Sequence, residues 1–356
     1  MSDIPQVRKG QTDVKLDRAQ FRARFRERFY DAAYDDSEHA IAALEEIAWR
    51  TYDEYHKSPR TRRAGPGFAD PDHELPIEWL AARDRILEAE QRQRGATRAR
   101  VLVVCASPRS DQTCSGEMSK SFRLARIAAD ELERADADVD FLDLSRLTAE
   151  YGRVIHPCKS CVSTAMPLCH WPCSCYPNHA IGQVNDWMND IYPRWVEAHG
   201  VLIVSPVQWY QAPSTLKLMM DRLVCADGGN PDPTSTHGKT PAEAKALELQ
   251  GWHYPRHLAN RAFAVVVHGD AAGVDALTSA LSGWLSDMRL IAADGGVLGR
   301  YVGYYEPYAT SHDALDRDAA VMENTRQAAR ALLVTIAAIR AGTHPALRQE
   351  EDPRPK

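Results

Sequence analysis

Apolar side chains recur at helical spacing in two segments within residues 18–57 and in a third that ends near residue 98, with charged side chains between them. This pattern predicts a helical N-terminal extension, residues 1–98. From residue 99 onward, short continuous apolar runs alternate with further helical segments. Such runs are typical of strands that are buried on both faces of a sheet, and they lie at residues 99–107, 139–145, 200–207, 261–270 and, more weakly, 295–301.

Strand and helix alternate five times between residues 99 and 342, with helical segments predicted at 115–134, 180–200, 213–224, 273–288 and about 312–340. Because consecutive parallel strands are joined by right-handed crossovers that are usually helical, this alternation predicts an α/β domain with a doubly wound parallel five-stranded sheet and helices on both faces. Two segments interrupt it: a cysteine-rich loop at 156–178 and an insertion at 226–260, which is long enough to be a lid or a binding element. Residues 343–356 are predicted to be a disordered tail.

The formal net charge of −6 gives no sign of a concentrated basic surface, so nucleic acid is not expected to be the main partner. No run of eighteen apolar residues is present, and the first residues have no apolar segment of the secretory kind, so we expect no membrane span and a cytoplasmic location. Thiols stay reduced in that compartment. Clustered cysteines there more often hold a metal or do redox chemistry than form structural disulfides.

Five of the eight cysteines fall within eighteen positions of the cysteine-rich loop, where no strand or helix pattern accounts for them. Four thiolates can hold either a [4Fe-4S] cluster or a zinc ion, and the spacing does not separate the two. Reduced or disulfide-forming thiols are the third interpretation. The candidate metal ligands are Cys158, Cys161, Cys169, Cys173 and Cys175. Outside the loop, Cys105 and Cys225 are interpreted as small buried apolar side chains.

Ligands of open parallel sheets bind beyond the carboxyl ends of the strands, so the loops that follow the strands are the expected site. The loop after the first strand combines hydroxyl groups with one arginine and leads into a helix N-terminus, which suits a phosphate group; a simple helix cap is the alternative. Aromatic rings after the third strand could flank a planar cofactor or merely pack on helices. The candidates are Ser107, Arg109, Thr113 and Ser115 after the first strand, Trp209 and Tyr210 after the third, and His268, Gly269 and Asp270 after the fourth.

The first of these loops contains SPR, and a predicted helix with the sequence NDWMNDIYPRWVEAHG leads into VLIVSPVQWYQAPSTLKLMMDRL. In these segments the chain resembles the NAD(P)H-dependent FMN reductases of flavodoxin-like fold, especially the iron–sulfur flavoproteins among them. The resemblance implies that the first loop binds the FMN phosphate through Ser107, Arg109 and Thr113, with Cys114 or Ser115 beside them. It also implies that the loop after the third strand borders the isoalloxazine ring through Pro206, Val207, Gln208, Trp209 and Tyr210.

The cysteine-rich loop lies where the iron–sulfur members carry their cluster motif, although its spacing departs from theirs. The resemblance implies an FMN-dependent oxidoreductase that passes hydride from reduced nicotinamide to the flavin and on to a quinone, a nitro compound, a free flavin or a cluster-linked acceptor. No catalytic side chain is required, because the cofactor performs the redox step. The alternative is an FMN-binding electron-transfer or sensor module with a structural zinc loop. Flavin sites of this family lie between subunits, so a homo-oligomer, either a dimer or a tetramer, is expected.

Overall fold

The structure is a computed structural model, and it describes residues 4–12, 14–113 and 116–347. The N-terminal part contains the two predicted amphipathic helices and the third helix that follows them: α1 (Arg18–Arg26), α2 (Glu38–Asp53) and α3 (Ile77–Gly95). The loop predicted between the second and third helices instead holds a short antiparallel pair of strands, β1 (Thr61–Arg63) and β2 (Glu74–Pro76).

The main sheet consists of five parallel strands in the order β4-β3-β5-β6-β7. The strands are β3 (Arg100–Cys105), β4 (Asp138–Asp143), β5 (Gly200–Pro206), β6 (Ala262–Gly269) and β7 (Ile291–Tyr301). The three central strands are buried almost throughout because helices cover both of their faces, which explains their continuous apolar runs. Since β4 and β5 lie on opposite sides of β3, the order is flavodoxin-like, and the predicted fold class is confirmed.

Helices cover the two faces of the sheet and divide the core into two apolar clusters. One face carries α4 (Lys120–Arg134) and α11 (Ala319–Arg340). The other face carries α6 (Met188–Glu197), α7 (Ser214–Arg222) and α9 (Val274–Asp287). Three shorter helices lie in the connections: α5 (Arg146–Ala149), α8 (Pro241–Leu249) and α10 (Ser311–Arg317).

Several element boundaries differ from the sequence pattern for local reasons. The helix predicted from residue 180 begins only at α6, because Gly182 adopts a left-handed conformation with φ of 66° and ends a short turn of 3-10 helix before it. The predicted final helix is divided into α10 and α11 at Asp318, whose carboxylate caps α11 by accepting from the Val321 N–H. The insertion at 226–260 is not a bare loop, since it contains α8.

The N-terminal extension contributes to the core of the α/β domain. Ile86 and Ala89 of α3 are fully buried in the same apolar cluster as Ile191 and Trp195 of α6. Burial of apolar side chains at this contact stabilises the position of α3 against the sheet domain. A domain boundary at residue 98 stays a prediction. No described helix is both long enough and apolar enough to cross a membrane.

Candidate functional site

The carboxyl ends of β3, β5, β6 and β7 meet at one edge of the sheet, here called the carboxyl edge. The ladder between β5 and β6 continues to that edge, where Pro206 lies opposite His268 and the Val207 N–H donates to the His268 carbonyl at 2.9 Å. Gly273 lies in the loop after β6, and a Cβ added there would lie only 3.0 Å from Cα of Tyr210 in the loop after β5. Glycine at this position therefore allows the two loops to contact each other. The loops after β5 and β6 therefore form one packed surface.

The loop after β3 holds its polar side chains in contacts of its own. The buried Ser107 hydroxyl accepts from the Arg109 N–H at 3.1 Å, and the Thr113 hydroxyl donates to the Ser110 carbonyl at 2.6 Å. The exposed Arg109 guanidinium lies 2.8 Å from a carboxylate oxygen of Glu117. An incoming phosphate would therefore compete with Glu117 for this arginine, in an exposed ion pair of small net strength.

A largely buried lysine at the start of α4 was missed by sequence reasoning. Lys120 is the first residue of the helix, its side chain is only 13% exposed, and its Nζ lies 3.8 Å from Asp270 Oδ2. Ser119 caps the helix by accepting from a backbone N–H in its first turn. The sequence pattern started this helix at Ser115, which, like Cys114, lies outside the described residues. The sequence did contain a signal for this helix start, because Ser119 directly precedes Lys120 and serine is a preferred N-cap residue.

His268 is buried at the end of β6, and its Nε2 lies 2.7 Å from Ser121 Oγ. Burial, together with the charge of Lys120, lowers the pKa of His268 to about 3. The ring is therefore neutral at neutral pH and joins β6 to α4 through the Ser121 contact. Next to it, the Asp270 carbonyl accepts from the Tyr305 N–H at 2.8 Å, which brings the loop after β7 to the same surface.

The loop after β5 presents two aromatic rings on a strained turn. Gln208 and Gln211 exchange two backbone hydrogen bonds, each of 3.0 Å, across Trp209 and Tyr210. Both central residues have positive φ, 46° for Trp209 and 65° for Tyr210, a conformation that bulky side chains rarely adopt and that costs about 1–3 kcal/mol each. The Trp209 side chain is 94% exposed. A bulky ring held in a costly conformation and left in solvent makes this turn a candidate binding surface.

The loop after β7 adds more exposed rings to the carboxyl edge. Tyr301 and Tyr304 make an edge-to-face contact with centroids 4.8 Å apart, and Tyr304 and Tyr305 a second one at 4.6 Å. Tyr305 and Tyr308 remain 72% and 78% exposed. The Trp209 turn and these tyrosines lie at or after the ends of strands that reach the carboxyl edge, and together they are here called the aromatic surface.

The cysteine-rich loop is enclosed by the N-terminal extension and by the insertion at 226–260. From the extension, Lys57 donates to the Ser174 carbonyl, and Trp79 Nε1 donates to the Pro172 carbonyl at 2.8 Å. From the insertion, Glu248 of α8 accepts from a loop N–H at 2.8 Å. Residues of the N-terminal extension and of the insertion at 226–260 thus hold this loop in place.

Within the loop, two thiols and a lysine form a compact group. Cys161 Sγ and Cys175 Sγ lie 3.2 Å apart, and Lys239 Nζ donates to both sulfurs, at 3.0 Å and 3.1 Å. A third hydrogen bond of the ammonium goes to the Leu168 carbonyl at 3.1 Å. The contact with Cys175 and the charge of Lys239 lower the pKa of Cys161 to about 6 against the opposing effect of burial.

The other predicted ligands do not complete a metal site in the part of the chain that the structure describes. No group of three or more His, Cys, Asp or Glu side chains among these residues is arranged to hold a metal ion. Burial raises the pKa of Cys169 well above its usual value, and the contact with Cys175 raises that of Cys173. Since a lysine ammonium already contacts both Cys161 and Cys175, these two sulfurs do not fit a shared metal ion. Iron–sulfur or zinc binding by the loop stays a prediction.

The α/β domain matches a known family. The family model described as NADPH-dependent FMN reductase matches residues 99–300, which include all five strands of the main sheet apart from the last residue of β7. No curated protein sequence matches the chain. The family match agrees with the resemblance carried by the SPR loop and by the helix and strand that end in the Trp209 turn.

Solved structures with a similar fold are distant in sequence. RosB with the bound intermediate 8-demethyl-8-formylriboflavin-5'-phosphate is 12% identical, with a TM-score of 0.47 over 69% of this chain and 82% of RosB. An NAD(P)H:quinone oxidoreductase from Methanothermobacter marburgensis is 15% identical, with a TM-score of 0.38 over 71% of this chain and 100% of that one. An azoreductase from Bacillus anthracis str. Sterne is 13% identical, with a TM-score of 0.36 over 65% and 98%.

Proposed function

Because this chain belongs to the NADPH-dependent FMN reductase family and is therefore an NAD(P)H-dependent flavin oxidoreductase, we propose that it holds FMN along the carboxyl edge and reduces a small-molecule acceptor there. The observation that carries the placement is the buried Lys120 ammonium at the N-terminus of α4, next to the hydroxyl-rich loop after β3. A helix N-terminus and a positive charge together favour a phosphate group.

We assign the phosphate end of FMN to Ser107, Arg109, Thr113 and Lys120. The ammonium of Lys120 is held 3.8 Å from Asp270, too far for a hydrogen bond between them, so it can donate to a phosphate without breaking one. Arg109 would have to turn from Glu117 to do the same. Lys120 is therefore expected to contribute more to FMN affinity than the arginine of the predicted motif.

We assign the ring end to the loops after β5 and β6. The Trp209 and Tyr210 rings provide flat exposed surfaces, and the backbone groups around Gly269 and Asp270 provide polar contacts to a heterocycle. Bound FMN would supply the two-electron chemistry between reduced nicotinamide and the acceptor. The chain's part is to orient the partners and exclude water. The His268 ring is neutral, with its Nε2 2.7 Å from Ser121 Oγ, and we assign it a structural role that joins β6 to α4.

The acceptor that we propose is a quinone, a nitro compound or a free flavin, since the exposed aromatic surface beside the site suits a planar molecule. The test is the oxidation of NADPH and of NADH by the purified full-length protein with 1,4-benzoquinone, after measuring FMN per chain. Quinone-dependent oxidation by protein that carries FMN supports the proposal. FMN without any such turnover would instead identify an electron-transfer or sensor module.

For the cysteine-rich loop, the predicted [4Fe-4S] cluster or zinc ion is examined by counting iron, sulfide and zinc per chain after anaerobic purification. The contact of Lys239 with Cys161 and Cys175 argues against a metal at those two sulfurs. A metal held by the other three predicted ligands, Cys158, Cys169 and Cys173, would need a fourth ligand from a residue outside the five predicted cysteines.

We also propose a homo-oligomer that covers the aromatic surface, because Trp209, Tyr305 and Tyr308 are all more than 70% exposed. Sedimentation velocity of the full-length protein tests this: a single monomeric species at micromolar concentration would exclude it.

A further inference from the structure

A cavity of about 540 Å³ opens beside Cys161 and Cys175, and we call it the cysteine pocket. The N-terminal extension, the cysteine-rich loop and the insertion at 226–260 all contribute to its wall. Among its described lining residues are three lysines, Lys57, Lys159 and Lys239, against a single carboxylate, Glu74. A pocket of this charge favours an anionic occupant.

The two thiols differ in how they reach the pocket. Cys161 is partly exposed, whereas Cys175 is buried at 6% exposure. Their sulfurs, 3.2 Å apart, need to approach by little more than about 1 Å to form a disulfide bond. The Lys239 ammonium, in contact with both sulfurs, stabilises a negative charge on either of them. An accessible thiolate with a second thiol behind it is the arrangement that thiol–disulfide exchange requires.

We propose that Cys161 and Cys175 form a thiol–disulfide exchange site that reacts with small anionic disulfides, in a pocket separate from the carboxyl edge. The Cys161 thiolate attacks one sulfur of the disulfide, which forms a mixed disulfide with Cys161 and releases the first half as a thiolate. The Cys175 thiol, losing its proton, then attacks the Cys161 sulfur and releases the second half, which takes up that proton. The protein pair of one thiolate and one thiol is oxidised to a disulfide, and the small disulfide is reduced to one thiolate and one thiol.

Each lysine has a distinct part in this site. Lys239 positions the two sulfurs and keeps the negative charge between them, while Lys57 and Lys159 line the approach. Lys57 is also fixed to the loop through the Ser174 carbonyl. The proposal does not depend on FMN, because no residue of the carboxyl edge lines this cavity among those described.

The experiment exposes the full-length, metal-analysed protein to either oxidised glutathione, which is anionic, or cystamine, which is cationic. Peptide mapping without reduction then follows the Cys161–Cys175 disulfide with time. We expect this disulfide as the main product, formed about tenfold faster with oxidised glutathione than with cystamine, after each rate is divided by that with a free reference thiol. Equal normalised rates, a different pair of cysteines, or stoichiometric iron or zinc that blocks both thiols would overturn the proposal.

Variants give a second, independent readout. Cys175→Ser should stop the reaction at a mixed disulfide on Cys161, with the added mass of one glutathione half, and Cys161→Ser should abolish the internal disulfide. Cys105→Ser is the matched control, because Cys105 is a buried residue of β3 and is not among the described residues that line the cysteine pocket, and this variant should react like the wild type. Flavin content and NADPH oxidation, measured on every variant, report on the carboxyl edge and on folding. A glutathione adduct on Cys175 in Cys161→Ser, formed at the wild-type rate, would contradict the assigned order of attack.

Discussion

The carboxyl edge and the cysteine pocket treat their reactive groups in opposite ways. At the edge, aromatic rings are exposed to solvent on a strained turn, and the largely buried Lys120 ammonium lies 3.8 Å from Asp270, the carboxylate paired with it among the described residues. In the pocket, two added segments of the chain lie beside the thiols, and the Lys239 ammonium already donates to both sulfurs. The carboxyl edge has polar and aromatic groups that a bound ligand would contact, whereas the polar groups of the pocket contact one another.

This difference has a chemical consequence. A site whose groups await a ligand gains its reactivity from what it binds, as expected when a cofactor performs the chemistry. The cysteine pocket needs no bound cofactor to react, because the thiolate is the nucleophilic form of cysteine and the Lys239 ammonium stabilises that form. The two regions can therefore be separated by experiment, starting with the change that should have the largest effect.

Lys120→Met tests the dependence of the carboxyl edge on its ligand. Losing one charge-assisted hydrogen bond to a phosphate costs about 2–3 kcal/mol, so FMN affinity should fall roughly 30- to 150-fold. Fluorescence titration of the FMN-free protein with FMN measures it. Lys217→Met is the matched control, since Lys217 is an exposed lysine paired with Asp221 on the surface of α7, and its loss should leave affinity within about twofold.

Lys120→Met should leave the reaction rate of Cys161 in the cysteine pocket unchanged. If Lys120→Met slowed the reaction of Cys161 with oxidised glutathione as strongly as it weakened FMN binding, the two regions would be coupled and the comparison would fail.

Alkylation of Cys161 by iodoacetamide tests whether the pocket keeps its own thiolate. With a pKa lowered to about 6, the thiol is mostly ionised at pH 7, so the rate should rise through pH 6 and level off above about pH 7. A thiol with the usual pKa near 9 continues to gain about tenfold per pH unit over that range. Mass spectrometry of the Cys161 peptide after short pulses gives the profile.

Lys239→Met supplies the internal comparison for this profile. Removal of the ammonium takes away a group that favours the thiolate, so the plateau should move to higher pH. The buried Cys169, whose pKa is raised by burial, should stay almost unlabelled in both proteins. An unchanged profile in Lys239→Met would show that the lysine has no influence on the thiolate.

Much of the carboxyl edge could be predicted from the sequence, because its features are local. The apolar run of β3 identifies a doubly buried strand, and the strand order then brings the loops at Ser107, Trp209 and His268 to one edge. Lys120 was missed because helical periodicity continues upstream of the true N-cap, and a pattern of spacing does not register a cap. The positive φ values of the Trp209 turn had no signal at all, since glycine or asparagine would be expected there.

The cysteine pocket shows the limit of such reasoning. The cluster of cysteines was evident, but its partner Lys239 is 78 positions from Cys161. Contacts of this range leave no periodic trace in a single sequence, and only the packing of the insertion against the loop reveals them. The same packing places Lys239 against two of the predicted metal ligands, Cys161 and Cys175, while metal binding by the loop stays a prediction.

Trp209→Gly and Trp209→Ala form a pair that separates strain from function at the edge. Both remove the ring, but only glycine adopts positive φ without cost, so Trp209→Gly should be more stable than Trp209→Ala by about 1 kcal/mol in urea unfolding. If the ring contacts FMN or a second subunit, both variants should lose the same share of flavin affinity or of oligomer. Equal stability of the two variants would mean that the positive φ carries no strain.

Glu117→Gln should have the smallest effect, and it tests how far the edge is prepared for its ligand. Arg109 lies 2.8 Å from Glu117, and both side chains are about half exposed, so the pair contributes at most about 1 kcal/mol. Without the carboxylate charge, the Arg109 guanidinium no longer has to break an ion pair in order to bind a phosphate. FMN affinity should therefore rise, by no more than about fivefold. The gain should shrink as salt is raised from low to physiological concentration, because exposed charges are screened. A loss of affinity would mean that Glu117 holds Arg109 in the position that the phosphate needs, and the edge would then resemble the pocket in arranging its own charges beforehand.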